Sequence, residues 1–162
     1  MRQIEIRVCS RKKLYRLLEE VDRTRIAAVI STSWQEPDPE KMHGIPWILC
    51  QYQDIDYEGV GAFSAQDAMR VAEFVRGIGT DIHMLVAVCD AGASRSPAVA
   101  AAISKYFEID SLDSIWRNPE YSPNMLVYEK LCEALDVPAT DEEKDFLIAE
   151  NRKAFQYAFA EQ

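Results

Sequence analysis

The segment from Cys89 to Ser96 combines a nucleophilic side chain, a turn of small residues and a cation. Cys89 follows an apolar run at 82–88, and the four small residues 91–94 lead into Arg95. Small side chains let the backbone wrap closely around a bound group, and glycine can adopt a positive φ where a tight turn needs one. Backbone N–H groups that converge from such a turn, next to a helix N-terminus, form an anion-binding site. The pattern therefore predicts a loop that binds an anion such as phosphate.

Arg95 and Cys89 give this loop its predicted chemistry. The planar guanidinium of Arg95 can hold two phosphate oxygens at once, which a lysine cannot do. The cation, the loop amides and the helix end also favour thiolate over thiol at Cys89. A thiolate that faces a bound phosphoryl group can attack it in line and form a covalent intermediate. Ser96 can donate a hydrogen bond to the sulfur and assist its departure in the second step.

Each residue of the loop therefore has an expected role. Cys89 is the expected nucleophile, Arg95 the expected phosphate clamp and Ser96 the expected helper of sulfur release. The backbone amides expected to bind phosphate are those of Asp90, Ala91, Gly92, Ala93, Ser94 and Arg95. The carboxylate of Asp90 brings negative charge close to the phosphate, so we expect it to point outward and to disfavour polyanionic substrates.

Apolar runs and helical spacing predict the elements that hold this loop. The predicted strands lie at 3–9, 25–31, 47–52 and 82–88. The predicted helices follow Ser10, Ser64 and Arg95, span about 125–135, and run from Thr140 onward. Strands that alternate with helices predict an α/β fold with a mostly parallel central sheet flanked by helices. In such sheets ligands bind beyond the carboxyl ends of the strands, where Cys89 lies.

Two helix starts and one helix face are predicted in more detail. Ser64 with Asp67, and Thr140 with Glu143, have the spacing of capping boxes. The final helix is expected to turn one apolar face inward, and that face consists of Leu147, Ala154, Phe155 and Phe159. Because no internal repeat or linker divides the chain, we expect one domain over residues 1–162.

The composition limits the classes of partner. The chain has 162 residues, of which 48% are hydrophobic, and a formal net charge of −9, so its overall field repels nucleic acid and anionic lipid. We therefore expect no nucleic-acid or membrane partner. The four cysteines stand singly and only two histidines are present, so neither a metal site nor a cofactor is expected. Free thiols and an N-terminus without an apolar targeting segment predict a cytoplasmic protein.

The segment CDAGASRS at 89–96 resembles the C-x-x-G-x-x-R-S motif of cysteine-based protein tyrosine phosphatases. The position of the motif is similar to that in the small dual-specificity branch, and the likeness extends over 45–135. The resemblance implies the fold of those phosphatases and hydrolysis through a cysteinyl-phosphate at Cys89. The implied substrate is a phosphorylated protein or a small phosphomonoester. Related domains have His before the cysteine where this chain has Val88, which leaves the catalytic strength open.

The resemblance also implies an aspartic acid, on a loop after a strand, that protonates the leaving group. Expelling an alkoxide or phenoxide needs such a proton donor, and the same group can later accept a proton from water. Asp54 and Asp56 are both candidates. Asp54 comes at the end of the apolar run 47–52, as the acid of related domains does, whereas Asp56 has the more usual spacing. We favour Asp54 and keep Asp56 as the alternative.

The sequence leaves two alternatives to a tyrosine or dual-specificity phosphatase. A phosphate-binding module without turnover would use the same loop, and Val88 keeps this hypothesis open. A rhodanese-like or arsenate-reductase-like thiol enzyme also places a cysteine on such a loop. Arsenate reduction normally needs a resolving cysteine, and none lies close to Cys89 in the sequence.

Overall fold

Four parallel strands form the central sheet of the computed structural model, which describes residues 3–160. In chain order the strands are β1 (Glu5–Ser10), β2 (Ile26–Ser31), β3 (Trp47–Leu49) and β4 (Met84–Cys89). Their order in the sheet is β1-β4-β2-β3, and each neighbouring pair is parallel. β4 therefore lies between β1 and β2, and its last residue, Cys89, lies at the carboxyl edge of the sheet. The predicted α/β fold with a parallel central sheet is confirmed.

Helices cover both faces of the sheet. In the described part of the chain they are α1 (Arg11–Glu20), α2 (Ala65–Ile78), α3 (Arg95–Tyr106), α4 (Met125–Ala134) and α5 (Asp141–Ala160). A short 3-10 turn at Arg23–Arg25 and a π-helical turn at Leu112–Trp116, neither of which was predicted, connect some of them. Between residues 3 and 160, no helix combines the length and the apolar character that crossing a membrane requires.

The side chains of β4 separate into two apolar clusters, one on each face of the sheet. Leu85 and Ala87 belong to the cluster that α2, α3 and α4 cover. Met84, Val86 and Val88 belong to the cluster beneath α1. All six residues of β4 are buried, as expected for a parallel strand covered on both faces. The continuous apolar run before Cys89 thus fixes the strand firmly between two helical layers.

β3 is shorter than predicted, ending at Leu49 rather than at residue 52. Beyond it the backbone still contacts its neighbour through a hydrogen bond from the Cys50 N–H to the Ser31 carbonyl. The Tyr52 carbonyl instead accepts from the side chain of Arg95, and the Gln53 N–H donates to Gly61. The backbone therefore leaves the sheet at the residues whose polar groups bind Arg95 and Gly61 instead of a neighbouring strand.

The prediction that Phe159 turns inward is wrong. Leu147 is buried as expected, and Ala154 and Phe155 are partly covered, but Phe159 is 68% exposed. α5 is 20 residues long, which corresponds to about 30 Å of helix. It packs against the π-helical turn at Leu112–Trp116, and its last turn extends beyond the surface that the core offers. Apolar spacing indicates which face a helix would bury, but not how far a partner surface reaches.

The capping box at the start of α2 is confirmed, and it provides a test of local stability. Ser64 Oγ accepts from the Asp67 N–H at 3.0 Å, and Asp67 Oδ2 accepts from the Ser64 N–H at 2.9 Å. Ser64→Ala removes one of these bonds, so we expect the free energy of unfolding, measured with urea, to fall by about 1 kcal/mol. Ser64→Thr keeps the hydroxyl and is the matched control. Equal stability of the Ala variant and the wild type would contradict the assigned cap.

Candidate active site

The turn between β4 and α3 is held against the sheet by a close approach at Gly92. Gly92 has φ +71°, and a Cβ placed there would lie 2.6 Å from the Ser10 backbone nitrogen and 2.8 Å from the Cys9 carbonyl carbon. Both the backbone conformation and the contact therefore require glycine. The loop therefore lies directly against the backbone that joins β1 to α1, and this contact fixes its position relative to the sheet.

The sulfur of Cys89 lies inside the loop, where two groups contact it. The Gly92 N–H donates to Sγ at 3.1 Å, and Ser96 Oγ lies 3.0 Å from Sγ. Cys89 and Ser96 are both buried. A backbone N–H and a hydroxyl directed at sulfur are the contacts that stabilise a thiolate and, later, a departing thiolate.

The carbonyl groups of the loop are turned outward by a second segment of the chain. The Ala93 carbonyl accepts from the Ser122 N–H at 2.8 Å, and the Ser94 carbonyl accepts from the Asn124 N–H at 3.1 Å. In a planar trans peptide, the C=O and the following N–H point in opposite directions. The N–H groups of Ser94 and Arg95 therefore point away from the 122–124 segment. These donors are also at the N-terminus of α3, where the first N–H groups have no partner within the helix.

Arg95 is buried, and its guanidinium is anchored at both terminal nitrogens. Nη1 donates to the carbonyls of Thr32 and Tyr52, each at 3.2 Å. Nη2 donates to Asp90 Oδ2 at 3.1 Å. A guanidinium has five N–H donors, so these bonds leave one Nη2–H and the Nε–H for another acceptor. Among the described residues, Nε has no hydrogen-bond partner although it is buried.

Asp90 faces the inside of the site, so the expectation that it points outward is wrong. Its Oδ1 accepts from Ser33 Oγ at 2.6 Å and lies 3.6 Å from Arg11 Nε, while Oδ2 binds Arg95. Desolvation acts to raise the pKa of Asp90, but hydrogen bonds from Ser33 and Arg95 outweigh it and hold that pKa below its usual value. The carboxylate points inward because the hydrogen bonds from Ser33 and Arg95 and the nearby charge of Arg11 stabilise its ionised form there.

Asp54, and not Asp56, is hydrogen-bonded to the loop. Asp54 Oδ1 accepts from Ser94 Oγ at 2.9 Å and from Asn124 Nδ2 at 2.9 Å. Asp56 instead lines a groove with Arg152 of α5, and in the described part of the chain no hydrogen bond joins it to residues 89–96. Asp54 is exposed at the mouth of the loop, where a leaving group would have to depart.

Asn124 connects Asp54 to the loop and was not predicted. Its Nδ2 donates to Asp54 Oδ1 and to the Ile55 carbonyl, while its Oδ1 caps α4 by accepting from the Val127 N–H. Its position before the helix at 125–135 is typical of an N-cap, which could have identified it as structural. The sequence offers no signal for its contact with Asp54, because 70 residues separate the two.

Val88, the residue before Cys89, belongs to the apolar cluster beneath α1. Its backbone carbonyl accepts from both the Thr32 N–H at 2.8 Å and Thr32 Oγ1 at 3.0 Å. These two bonds fix the peptide that precedes Cys89. The start of the loop is therefore held by Thr32, the residue that follows β2.

The other cysteines do not lie where a resolving thiol would be needed. Cys9 is paired in register with Val88, so its side chain emerges on the face of the sheet opposite that of Cys89. Desolvation by burial raises the pKa of Cys9, Cys50 and Cys132 to about 12 each. All four cysteines are free thiols. Within residues 3–160, no three His, Cys, Asp or Glu side chains are grouped so that they could hold a metal ion.

Comparison with known proteins finds similarity only among solved structures. No protein-family model matches the chain, and no curated protein sequence gives a significant match. Human DUSP28 is 15% identical, with coverage of 97% of this chain and 95% of the other and a TM-score of 0.45. The core catalytic domain of the PP-IP phosphatase SIW14 from S. cerevisiae, in complex with citrate, is 12% identical, with coverage of 96% and 85% and a TM-score of 0.43.

The identities to both proteins are below 25% and the TM-scores below 0.5. The chemistry of the site therefore follows from its own contacts and not from these likenesses.

The close approach at Gly92 gives a prediction with a matched control. Gly92→Ala should push the loop away from Ser10 and abolish phosphate binding, measured by calorimetry with inorganic phosphate. Gly44→Ala also places a side chain at positive φ (+78°), but nothing lies within 4 Å of its Cβ. That variant should lose only about 1 kcal/mol of stability and keep full phosphate affinity. Wild-type affinity in the Gly92 variant would show that the loop does not depend on this contact.

Proposed function

We propose that this protein is a cysteine-dependent phosphomonoesterase that hydrolyses phosphate esters through a cysteinyl-phosphate intermediate. The observation that carries the proposal is the buried Nε–H of Arg95, which has no partner among the described residues and belongs to the same loop as the Cys89 sulfur. A buried donor of a charged group costs free energy unless an acceptor binds it. A phosphate oxygen on Nε and a second on Nη2 would satisfy the guanidinium in the bidentate geometry that it favours.

In the first step the thiolate of Cys89 attacks phosphorus in line. The S–P bond forms as the P–O bond to the leaving group breaks, and Asp54 in its acid form gives its proton to the departing oxygen. The equatorial oxygens carry the charge of the transition state, and they would face the loop amides and Arg95. Asn124 and Ser94 support this role for Asp54, since both donate to one of its oxygens and so fix the carboxyl group.

In the second step water attacks the phosphocysteine. The carboxylate of Asp54 accepts a proton from the water, an O–P bond forms and the S–P bond breaks. Ser96 Oγ, at 3.0 Å from Sγ, can donate a hydrogen bond to the sulfur as it leaves with its negative charge. Inorganic phosphate is released, and the enzyme returns to its starting state with Cys89 as thiolate.

The charges around the loop favour a substrate with a single phosphate group. Asp90 lies within the loop, Asp54 at its mouth, and Asp56 is exposed on the segment after Asp54. A polyanionic substrate would meet these carboxylates, and the whole chain has a net charge of −9. We therefore favour a phosphorylated protein, with phosphotyrosine or phosphoserine/threonine, or a small phosphomonoester. A cytoplasmic location would supply such substrates.

Val88 supports one other candidate function, which is phosphate recognition without turnover. Related enzymes have His at this position, and here the side chain is apolar and buried. The hydrogen bonds of Thr32 could replace the orienting part of that histidine but add no positive charge near the sulfur. A pocket that binds phosphate and cleaves it poorly would follow if that charge is essential.

Hydrolysis of p-nitrophenyl phosphate distinguishes the two functions. We expect turnover by the wild type, no turnover by Cys89→Ser because the nucleophile is lost, and at least about a hundredfold lower kcat/KM for Arg95→Ala. Cys9→Ser is the matched control, and its activity should equal that of the wild type. A wild-type protein that binds phosphate but shows no turnover would establish the binding module instead.

The acid is identified by the dependence of rate on the leaving group. Asp54→Asn should lower kcat for phenyl phosphate by about 10²–10⁴-fold, because phenoxide needs a proton to depart. The loss should be much smaller with p-nitrophenyl phosphate, whose leaving group is stable as an anion. Asp56→Asn is the matched control, because it makes the same change two residues further along the same segment. It should change neither rate appreciably. Equal effects of the two variants on both substrates would exclude the assignment to Asp54.

A further inference from the structure

Resting on the proposed function, we infer that Asp90 is a positioning residue, which orients the guanidinium of Arg95 so that its Nε–H and one Nη2–H can bind an oxyanion. Its Oδ2 accepts from Nη2 at 3.1 Å. A carboxylate beside a phosphate site would otherwise be a pure electrostatic cost. This hydrogen bond therefore gives Asp90 a favourable effect on anion binding, whereas its charge alone predicts an unfavourable one.

The need for this contact follows from the way Arg95 is held. The carbonyls of Thr32 and Tyr52 both accept from Nη1, so they anchor one corner of the guanidinium. Bonds at one nitrogen leave the plane free to tilt about that corner. The Asp90 carboxylate holds the second corner, Nη2. The two anchored nitrogens, together with Nε, which is attached to the rest of the side chain, determine the plane. Bidentate binding of phosphate depends on that plane, because both N–H groups must point at oxygens at once.

Asp90 is in turn fixed by residues outside the loop. Ser33, which is fully buried, donates to Oδ1 at 2.6 Å. Arg11, the first residue of α1, places its Nε 3.6 Å from the same oxygen. One oxygen of the carboxylate thus accepts from Ser33 and faces the charge of Arg11, and the other accepts from Arg95. The segment after β2 and the start of α1 therefore both contribute to the orientation of an arginine that neither contains.

The arrangement also limits the electrostatic cost of Asp90. Its negative charge lies between the cations Arg95 and Arg11, so the three side chains together have a net charge of +1. A phosphate in the loop would approach a group whose sum is positive, in spite of the carboxylate. Arg11 is therefore the counter-charge that makes an acidic positioning residue compatible with an anionic ligand.

Two substitutions at Asp90 separate positioning from repulsion. Asp90→Ala removes the anchor of Nη2, so positioning predicts that the affinity for inorganic phosphate, measured by calorimetry, falls by about tenfold or more. Asp90→Asn keeps an acceptor oxygen and removes the negative charge, and it should bind phosphate as tightly as the wild type or more tightly. Affinity in Asp90→Ala that equals or exceeds that of the wild type would overturn the proposal, because repulsion alone predicts that result.

Two control variants and an NMR measurement separate the role of Asp90 from effects on folding and on turnover. Asp136→Ala and Asp136→Asn remove an exposed carboxylate paired with Arg76, far from the loop in sequence, and should leave phosphate affinity unchanged. The Nε–H resonance of Arg95 in ¹⁵N NMR, assigned by its loss in Arg95→Ala, should be sharp in the wild type and in Asp90→Asn. It should be broadened in Asp90→Ala, while thermal unfolding confirms that the variant is folded.

The outcomes distinguish this inference from the proposed function. If the wild type binds phosphate without turnover, the enzyme proposal is wrong. The phosphate affinities of the Asp90 variants would still decide whether Asp90 is a positioning residue. Absence of phosphate binding in the wild type would remove the proposed function at its first step. In that case the NMR measurement decides alone, and a sharp Nε–H resonance in Asp90→Ala would overturn the role of Asp90.

Discussion

The buried guanidinium of Arg95 is the constraint on which the arrangement of the site depends. Arg95 is 7% exposed, and a charge taken out of water to this extent must be given partners. Those partners come from the end of β2, from the segment after β3 and from the loop itself, as Thr32, Tyr52 and Asp90. The strand order, with β2 between β4 and β3, brings these carbonyls together at one edge of the sheet. The partners of the arginine therefore depend on the strand order.

The remaining sides of the loop are closed by contacts that leave little freedom. Gly92 lies against the β1–α1 junction so closely that no side chain fits, and the 122–124 segment binds the carbonyls of Ala93 and Ser94. These contacts are made by backbone atoms, so they determine the path of the loop independently of its side chains. The N–H groups and the sulfur are consequently directed inward before any ligand binds, which is the preorganisation that electrostatic catalysis requires.

The sequence predicts the parts of the site that are adjacent along the chain and not the parts assembled by the fold. Cys89, Gly92, Arg95 and Ser96 were identifiable because a strand, a tight turn and a helix leave local patterns. Ser33 and Asn124 were not, since each meets its carboxylate partner across 57 or 70 residues, and a single serine or asparagine carries no pattern. The inward orientation of Asp90 was mispredicted for the same reason. Its donor Ser33 lies just after β2 and its ion-pair partner Arg11 begins α1, and the sheet order brings both near the loop.

The backbone and the side chain of Val88 are held by different parts of the fold. Thr32 fixes the backbone, because its N–H and hydroxyl both donate to the Val88 carbonyl. The Val88 side chain lies under α1 among Leu14, Val29 and other apolar residues, where an imidazolium would be desolvated and uncompensated. The groups directed at the Cys89 sulfur are then the Gly92 N–H and the Ser96 hydroxyl, next to the α3 N-terminus and Arg95. Because Asp90 offsets part of the Arg95 charge, the orientation of that arginine, rather than the amount of positive charge, becomes the property on which the proposed phosphate binding depends.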